Sequence, residues 1–186
     1  SKDNNDLIDT PNPDNYYGLT KLKSEKIILQ NSNNVVVRTT PIGFNYLNNS
    51  GFLNWALSSL ILKKSIKLFD DVYFNPIHTS LLLKYILLVI QINLKGVIHI
   101  NSNFKYTKYK FVKLLASFLK IDSSHVLNSK LSKANLAAKR NKNQILKLEK
   151  SENLLRIKYP DVNENFLIIL NELKNNTKLK NFLIKN

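Results

Sequence analysis

Cysteine is absent from the 186 residues, so the chain forms no disulfide framework, no thiolate metal site and no cysteine nucleophile. That absence fits a reducing compartment. Glycine is scarce: the four glycines, at 18, 43, 51 and 96, are too far apart to build a Gly-rich, phosphate-cradling turn. Arginine occurs only at 38, 140 and 156. Because arginine is the usual bidentate reader of guanine, its scarcity counts against sequence-specific DNA recognition despite a net charge of +15 and a pI near 9.9. The positive residues are nearly all lysines scattered among Asn and Ile, which reads as a solvated surface, with a Lys-rich nucleic-acid-binding module as the rival. No signal-peptide pattern is present, and the first residue is Ser rather than Met. The expectation is a fragment or processed product that stays in the cytoplasm. The most apolar stretch, Thr79 to Leu94, is interrupted by Lys84 and Gln91 and falls short of the roughly 20 apolar residues a membrane span needs. It reads as a buried amphipathic helix with a Thr/Ser start, and no membrane partner is expected.

What is present is enough for a globular core: 44% of the residues are hydrophobic and 10% aromatic. Residues 1–14 read as a loop with two prolines, and 15–31 as a helix with Leu19, Leu22, Ile27 and Ile28 at helical spacing. Asn34 to Thr39 is a β-branched run of the kind found in buried parallel strands. A second helix is expected over 51–64, with Phe52, Trp55, Ser59 and Leu62 on one face and Trp55 in the core. Two short strands surround Asp70-Asp71, Gly96 to Asn101 alternates as a strand, and Thr107 to Lys120 reads as a helix with Phe111, Leu114, Leu115 and Phe118 inside. A strand and helix follow over 146–160, and a last amphipathic helix covers 163–175.

Chemistry is concentrated near the start. In Asn15-Tyr16-Tyr17-Gly18-Leu19-Thr20-Lys21, Tyr17 and Lys21 lie four residues apart and share one helix face. An ammonium one turn from a phenol favours the phenolate and suits Tyr17 to proton transfer; a solvated Lys beside a surface Tyr is the plainer account of the spacing. Asp70 and Asp71 are expected to hold a turn rather than a metal. His78, His99 and His125 lack partners at ligand spacing, and no metal is expected.

The run from Asp9-Thr10-Pro11-Asn12-Pro13 through Tyr17-Gly18-Leu19-Thr20-Lys21 to Ser24-Glu25 resembles the active-site segment of extended short-chain dehydrogenases/reductases. It looks most like their dTDP-4-dehydrorhamnose reductase branch, with an RmlD-like substrate-binding region. Further points of resemblance follow in order: Arg38-Thr39-Thr40-Pro41-Ile42-Gly43, the Gly51 to Trp55 segment, Asn75-Pro76-Ile77, Arg140 with Asn143, and Ile157-Lys158-Tyr159-Pro160. Asn141 stands where that family usually has Pro.

The resemblance implies an α/β fold: the C-terminal part of a doubly wound Rossmann-type sheet followed by a small mixed substrate-binding domain, with the N-terminal dinucleotide-binding half missing. Residues 1–43 would end the Rossmann-type domain, 44–175 would form the substrate-binding region and 176–186 a flexible tail. It implies Tyr17 and Lys21 as catalytic residues that also touch the cofactor, NAD(P)H, together with Thr40, Pro41 and Ile42. Asn45, Trp55, Arg140 and Asn143 would contact a nucleotide-linked 4-keto sugar. The protein would be an oxidoreductase, with a homodimer among its expected states, and this chain alone would be inactive. The rivals are a non-catalytic regulatory or scaffolding subunit of the same fold, and an epimerase or dehydratase acting on a nucleotide sugar.

Overall fold

The computed structural model describes residues 6, 7, 9–47 and 50–176. The expected flexible tail lies, beyond residue 176, outside the described residues, as do residues 1–5 of the N-terminal loop. Helix α1 (Tyr16–Ile28) leads into strands β1 (Val35–Arg38) and β2 (Pro41–Ile42), then helix α2 (Phe52–Ile61). Strands β3 (Ile66–Phe69), β4 (Tyr73–Phe74) and β5 (Ile77–His78) precede helix α3 (Thr79–Gln91) and strand β6 (Gly96–His99). Strand β7 (Tyr106–Thr107), helix α4 (Lys108–Phe118), strand β8 (Val126–Ser129) and helices α5 (Glu149–Leu155) and α6 (Val162–Asn175) complete the order.

The strands form four two-stranded ladders among the described residues. The valine run of β1 lies parallel to β6, from Val35 opposite Gly96 to Arg38 opposite His99. Parallel strands need a crossover, and α3 lies within the one between β1 and β6. The β2–β5 and β3–β8 pairs are also parallel, and β4–β7 is antiparallel. Among the described residues nothing pairs with the second edge of β1.

Two apolar cores result among the described residues. One gathers Ile77, Leu82, Tyr85, Val89, Ile98 and Leu155, with Val35 and Val37 packed against it. The other gathers Leu53, Leu57, Leu60, Leu68, Phe74, Phe111, Leu115, Phe166 and Ile169 from α2, β3, β4, α4 and α6. A capping box, Asp161 with Glu164, starts α6.

Several expectations need correction. Trp55 is 43% exposed and outside the core; the buried residues of α2 are Leu53, Asn54, Ala56, Leu57, Ser58, Ser59 and Leu60. Helix α3 buries only Leu82, Tyr85 and Val89. Leu83, Leu87 and Ile90 stand exposed, so the helix is not buried as its composition indicated. The helix does start at Thr79 and Ser80, and the residue before them, His78, caps it with a side chain that accepts from the Ser80 amide. None of the α1 residues is buried. No strand covers 146–148, and α5 is all that forms between 146 and 160. Val112 and Ala116, rather than Leu114 and Phe118, complete the buried stripe of α4. Strands β7 and β8 were not foreseen.

Asp70 and Asp71 hold a turn. Asp71 accepts from the Leu131 amide at 2.8 Å and pairs with Lys142, while Asp70 pairs with Lys130 and accepts from Asn128. The hydrogen bond from Lys130 leads the effects that hold the Asp70 carboxyl below its ordinary range.

Candidate functional site

The start of α1 is built with small tolerances. Asn15 is extended, and its side-chain oxygen takes the Gly18 amide at 2.8 Å. A Cβ on Gly18 would lie 2.9 Å from the Cβ of Pro13, so only glycine lets the Pro11–Pro13 loop close onto the helix. Tyr17 follows the cap and is 70% exposed, which leaves its phenol accessible. The Lys21 ammonium lies 5.5 Å from the centre of the Tyr17 ring, as the four-residue spacing requires. Lys21 also lines a cleft of about 560 Å³ whose walls include Pro11, Pro13, Glu25, Arg38 and Asn141.

The loop after β1 is held from beneath by Asn101. The Asn101 side-chain oxygen accepts from the Thr40 amide at 2.8 Å and the Thr39 hydroxyl at 3.1 Å. Its amide nitrogen donates to Asn75 at 3.1 Å, and Asn75 in turn exchanges hydrogen bonds with the backbone of Leu146. Both asparagines are buried. This network fixes where the strand's end stops. Pro41 and Ile42 then pair with Ile77 and His78, so this piece is a short strand, with Pro41 exposed and Ile42 in the core.

Asn45 uses its side chain within its own loop, accepting from the Leu47 amide and donating to Ser50. Asn143 bridges to Tyr73 and accepts from the Ile145 amide at 3.1 Å, closing its own turn. Arg140 is exposed. The loop that carries it is tied to the start of α1, because the Asn15 side-chain amide donates to the Lys139 carbonyl at 2.9 Å. Tyr17, Lys21 and the Arg140 loop are therefore neighbours around one helix start, and Trp55 belongs to the separate patch at the start of α2. Sequence reasoning missed Asn75 and Asn101 as supports. In a chain this rich in Asn, the residue type alone carries no signal of burial.

His78 and His99 are fully buried. Burial pushes His78 down to about 4, and it also lowers His99, whose Nδ1 lies 2.9 Å from the Lys147 carbonyl. His78 Nε2 lies 3.7 Å from Glu172. Among the described residues no three His, Asp or Glu side chains gather at metal-binding distance. No helix among them is long and apolar enough to cross a membrane.

The RmlD substrate binding domain model matches residues 3–175. Among solved structures, the chain is similar to a dTDP-4-dehydrorhamnose reductase from Bacillus anthracis in complex with NADP, with 21% identity and a TM-score of 0.83 over 92% of this chain and 60% of that one. It is similar to a dTDP-4-dehydrorhamnose reductase ortholog from Clostridium acetobutylicum, with 22% identity and a TM-score of 0.84 over 94% of this chain and 61% of that one. A hypothetical dTDP-4-dehydrorhamnose reductase from Sulfolobus tokodaii matches with 24% identity and a TM-score of 0.74, over 87% and 57% of the two chains. The chain thus spans about three-fifths of the length of the reductases it matches. No curated protein matches. The likeness shows the fold: a mixed α/β structure that forms part of a Rossmann-type architecture.

Proposed function

This chain belongs to the RmlD substrate binding domain family, and from that membership we propose that it supplies the proton donor and the substrate-binding region for reduction of a nucleotide-linked 4-keto sugar. The observation that carries the reading is the start of α1. There Tyr17 is exposed on the same face as Lys21, and Lys21 lines the cleft next to it. When bound, NAD(P)H supplies the hydride for the sugar's C4 carbonyl carbon. Tyr17 delivers the proton from its Oη to the carbonyl oxygen, which becomes the hydroxyl. Lys21, one turn along on the same face, would meet the nicotinamide ribose. Thr40, held by Asn101, and the exposed Pro41 would meet the cofactor, while Ile42 of β2 is buried in the core and would not. Residues 1–43 carry the proton donor in this reading, and 44–175 the sugar-nucleotide contacts.

The Gly-rich turn for a dinucleotide is not among these residues, so the reading applies to this segment joined to a dinucleotide-binding segment. The second edge of β1 and the exposed apolar side chains of α1 and α3 suit such a junction. The test is NAD(P)H oxidation by the joined protein with a dTDP-4-keto sugar. Oxidation that depends on the sugar supports the reading. Cofactor binding without turnover contradicts it in favour of a non-catalytic subunit, and sugar isomerisation without net cofactor use contradicts it in favour of an epimerase.

A further inference from the structure

Lysine is scattered along the sequence, but the fold gathers part of it on one face. No Asp or Glu occurs between Val72 and Ile121, nor between Ser123 and Leu148, and these two acid-free stretches meet at β4. There the Tyr73 amide donates to the Lys142 carbonyl at 2.7 Å, and Tyr73 lies opposite Thr107 across the β4–β7 ladder. Beside this junction is a cleft of about 550 Å³ lined by Tyr73, Tyr106 and Tyr109 and by Lys105, Lys110 and Lys113. Asp70 is the one acid in its walls, and Lys130 pairs with it at 2.9 Å. The neighbouring Asp71 is taken by Lys142 at 3.0 Å.

With both acids occupied, the lysines of the cleft itself have no carboxylate partner among the described residues. The Lys105 ammonium lies 5.4 Å from the centre of the Tyr73 ring and that of Lys110 lies 4.9 Å from the centre of the Tyr106 ring, while Lys113 donates to the Ser123 carbonyl at 3.0 Å. Cation–π contacts made by exposed ammonium groups are weak, so an incoming anion displaces them readily. Helix α4 starts at the same cleft with Lys108 and Lys110 in its first turn and no acid there, which adds its dipole to the positive field. Along β7 and α4 the two residue types interleave, as Lys105-Tyr106-Thr107-Lys108-Tyr109-Lys110. Ammonium groups that meet backbone phosphates, set between rings that stack on unpaired bases, are the chemistry that holds single-stranded nucleic acid. A duplex keeps its base faces inside, and the cleft has no arginine in its walls to read base edges. We infer that the cleft between Tyr73, Tyr106 and Tyr109 is a binding site for single-stranded nucleic acid, engaged without sequence preference. Tyr17 and Lys21 do not line it, so the inference stands apart from the proposed reduction.

The test is fluorescence anisotropy of labelled oligo(dT) and oligo(U), each about 12 nucleotides long, titrated with the full 186-residue chain at several salt concentrations. The variants are Lys105→Gln with Lys110→Gln, Tyr73→Leu, and Lys23→Gln with Lys26→Gln, the last removing the same charge from exposed positions of α1. Wild type should bind, and the Lys105, Lys110 variant should bind about tenfold more weakly or worse, with a log–log salt slope shallower by about 1.4, two phosphate contacts at about 0.7 each. Tyr73→Leu should weaken binding about fivefold or more, the loss of one stacked base, while the α1 variant stays within about threefold of wild type. Lys105 and Lys110 are exposed, so their variant should melt with wild type and its affinity is read on folded protein. Binding of one strand alone, RNA or DNA, supports the inference and names the sugar. No binding by wild type, an equal loss in the α1 variant, or tighter binding of the duplex of the same length overturns it. Displacement of the labelled strand by an oligo-glutamate peptide at equal charge concentration also overturns it, in favour of an acidic protein partner.

Discussion

Glu25 and Arg38 join α1 to β1 through a two-point contact, in which Arg38 Nε donates to one Glu25 carboxylate oxygen at 3.0 Å and Nη2 donates to the other. The pair is mostly buried, with side-chain exposures of 23% for Arg38 and 15% for Glu25. Since α1 buries none of its own residues, this pair is a main constraint on where Tyr17 and Lys21 face. Arg38→Met should cost about 2 to 3 kcal/mol in denaturant unfolding, because it leaves the Glu25 carboxylate unpaired. The Glu25→Leu, Arg38→Met double variant should recover part of that loss, and additive costs would contradict the coupling.

Asn101 is the second such support. Asn101→Leu keeps the volume but strands the Thr40 amide and one side of Asn75. The expected cost is about 2 to 4 kcal/mol, read from urea midpoints, and a loss under about 1 kcal/mol would show that the network is replaceable.

The helices with clear periodicity were legible in the sequence, as was β1, whose valine run has few other uses. The Tyr17–Lys21 geometry was also legible, because helical spacing alone sets it. Trp55 was misplaced because an aromatic residue at helical spacing looks the same whether its face meets the core or solvent, and the register of α2 turns Leu53 and Leu57 inward instead. Strand β8 was missed because two of its four residues are exposed and Asn128 and Ser129 resemble loop. Its pairing with β3 is a long-range contact that no local pattern announces.

The buried histidines predict acid sensitivity. His78 is held at about 4, below its ordinary 6.5, so the unfolded chain binds its proton first as pH falls. Its stabilising contribution is complete above about pH 6.5 and is lost on the way down to about pH 4, to a total of about 3 kcal/mol. His99 acts in the same direction. The Glu172 carboxyl is pushed up by burial and acts oppositely, adding stability at low pH that is lost as pH rises. His78→Asn keeps an acceptor for the Ser80 amide but does not titrate. Unfolding free energies at neutral pH and near pH 4 should therefore lie closer together in the variant than in wild type, with His99 leaving part of the difference, and an unchanged pH slope would contradict this assignment.

Tyr17→Phe, introduced into the chain joined to a dinucleotide-binding segment, tests the central claim most directly through steady-state turnover of a dTDP-4-keto sugar. Because Tyr17 is exposed and its hydroxyl supports no described element, the variant should fold as stably as wild type. Its kcat should fall by about 100-fold or more, with KM little changed, as loss of a general acid requires. A Tyr17→Phe protein that reduces the sugar at the wild-type rate would contradict the account.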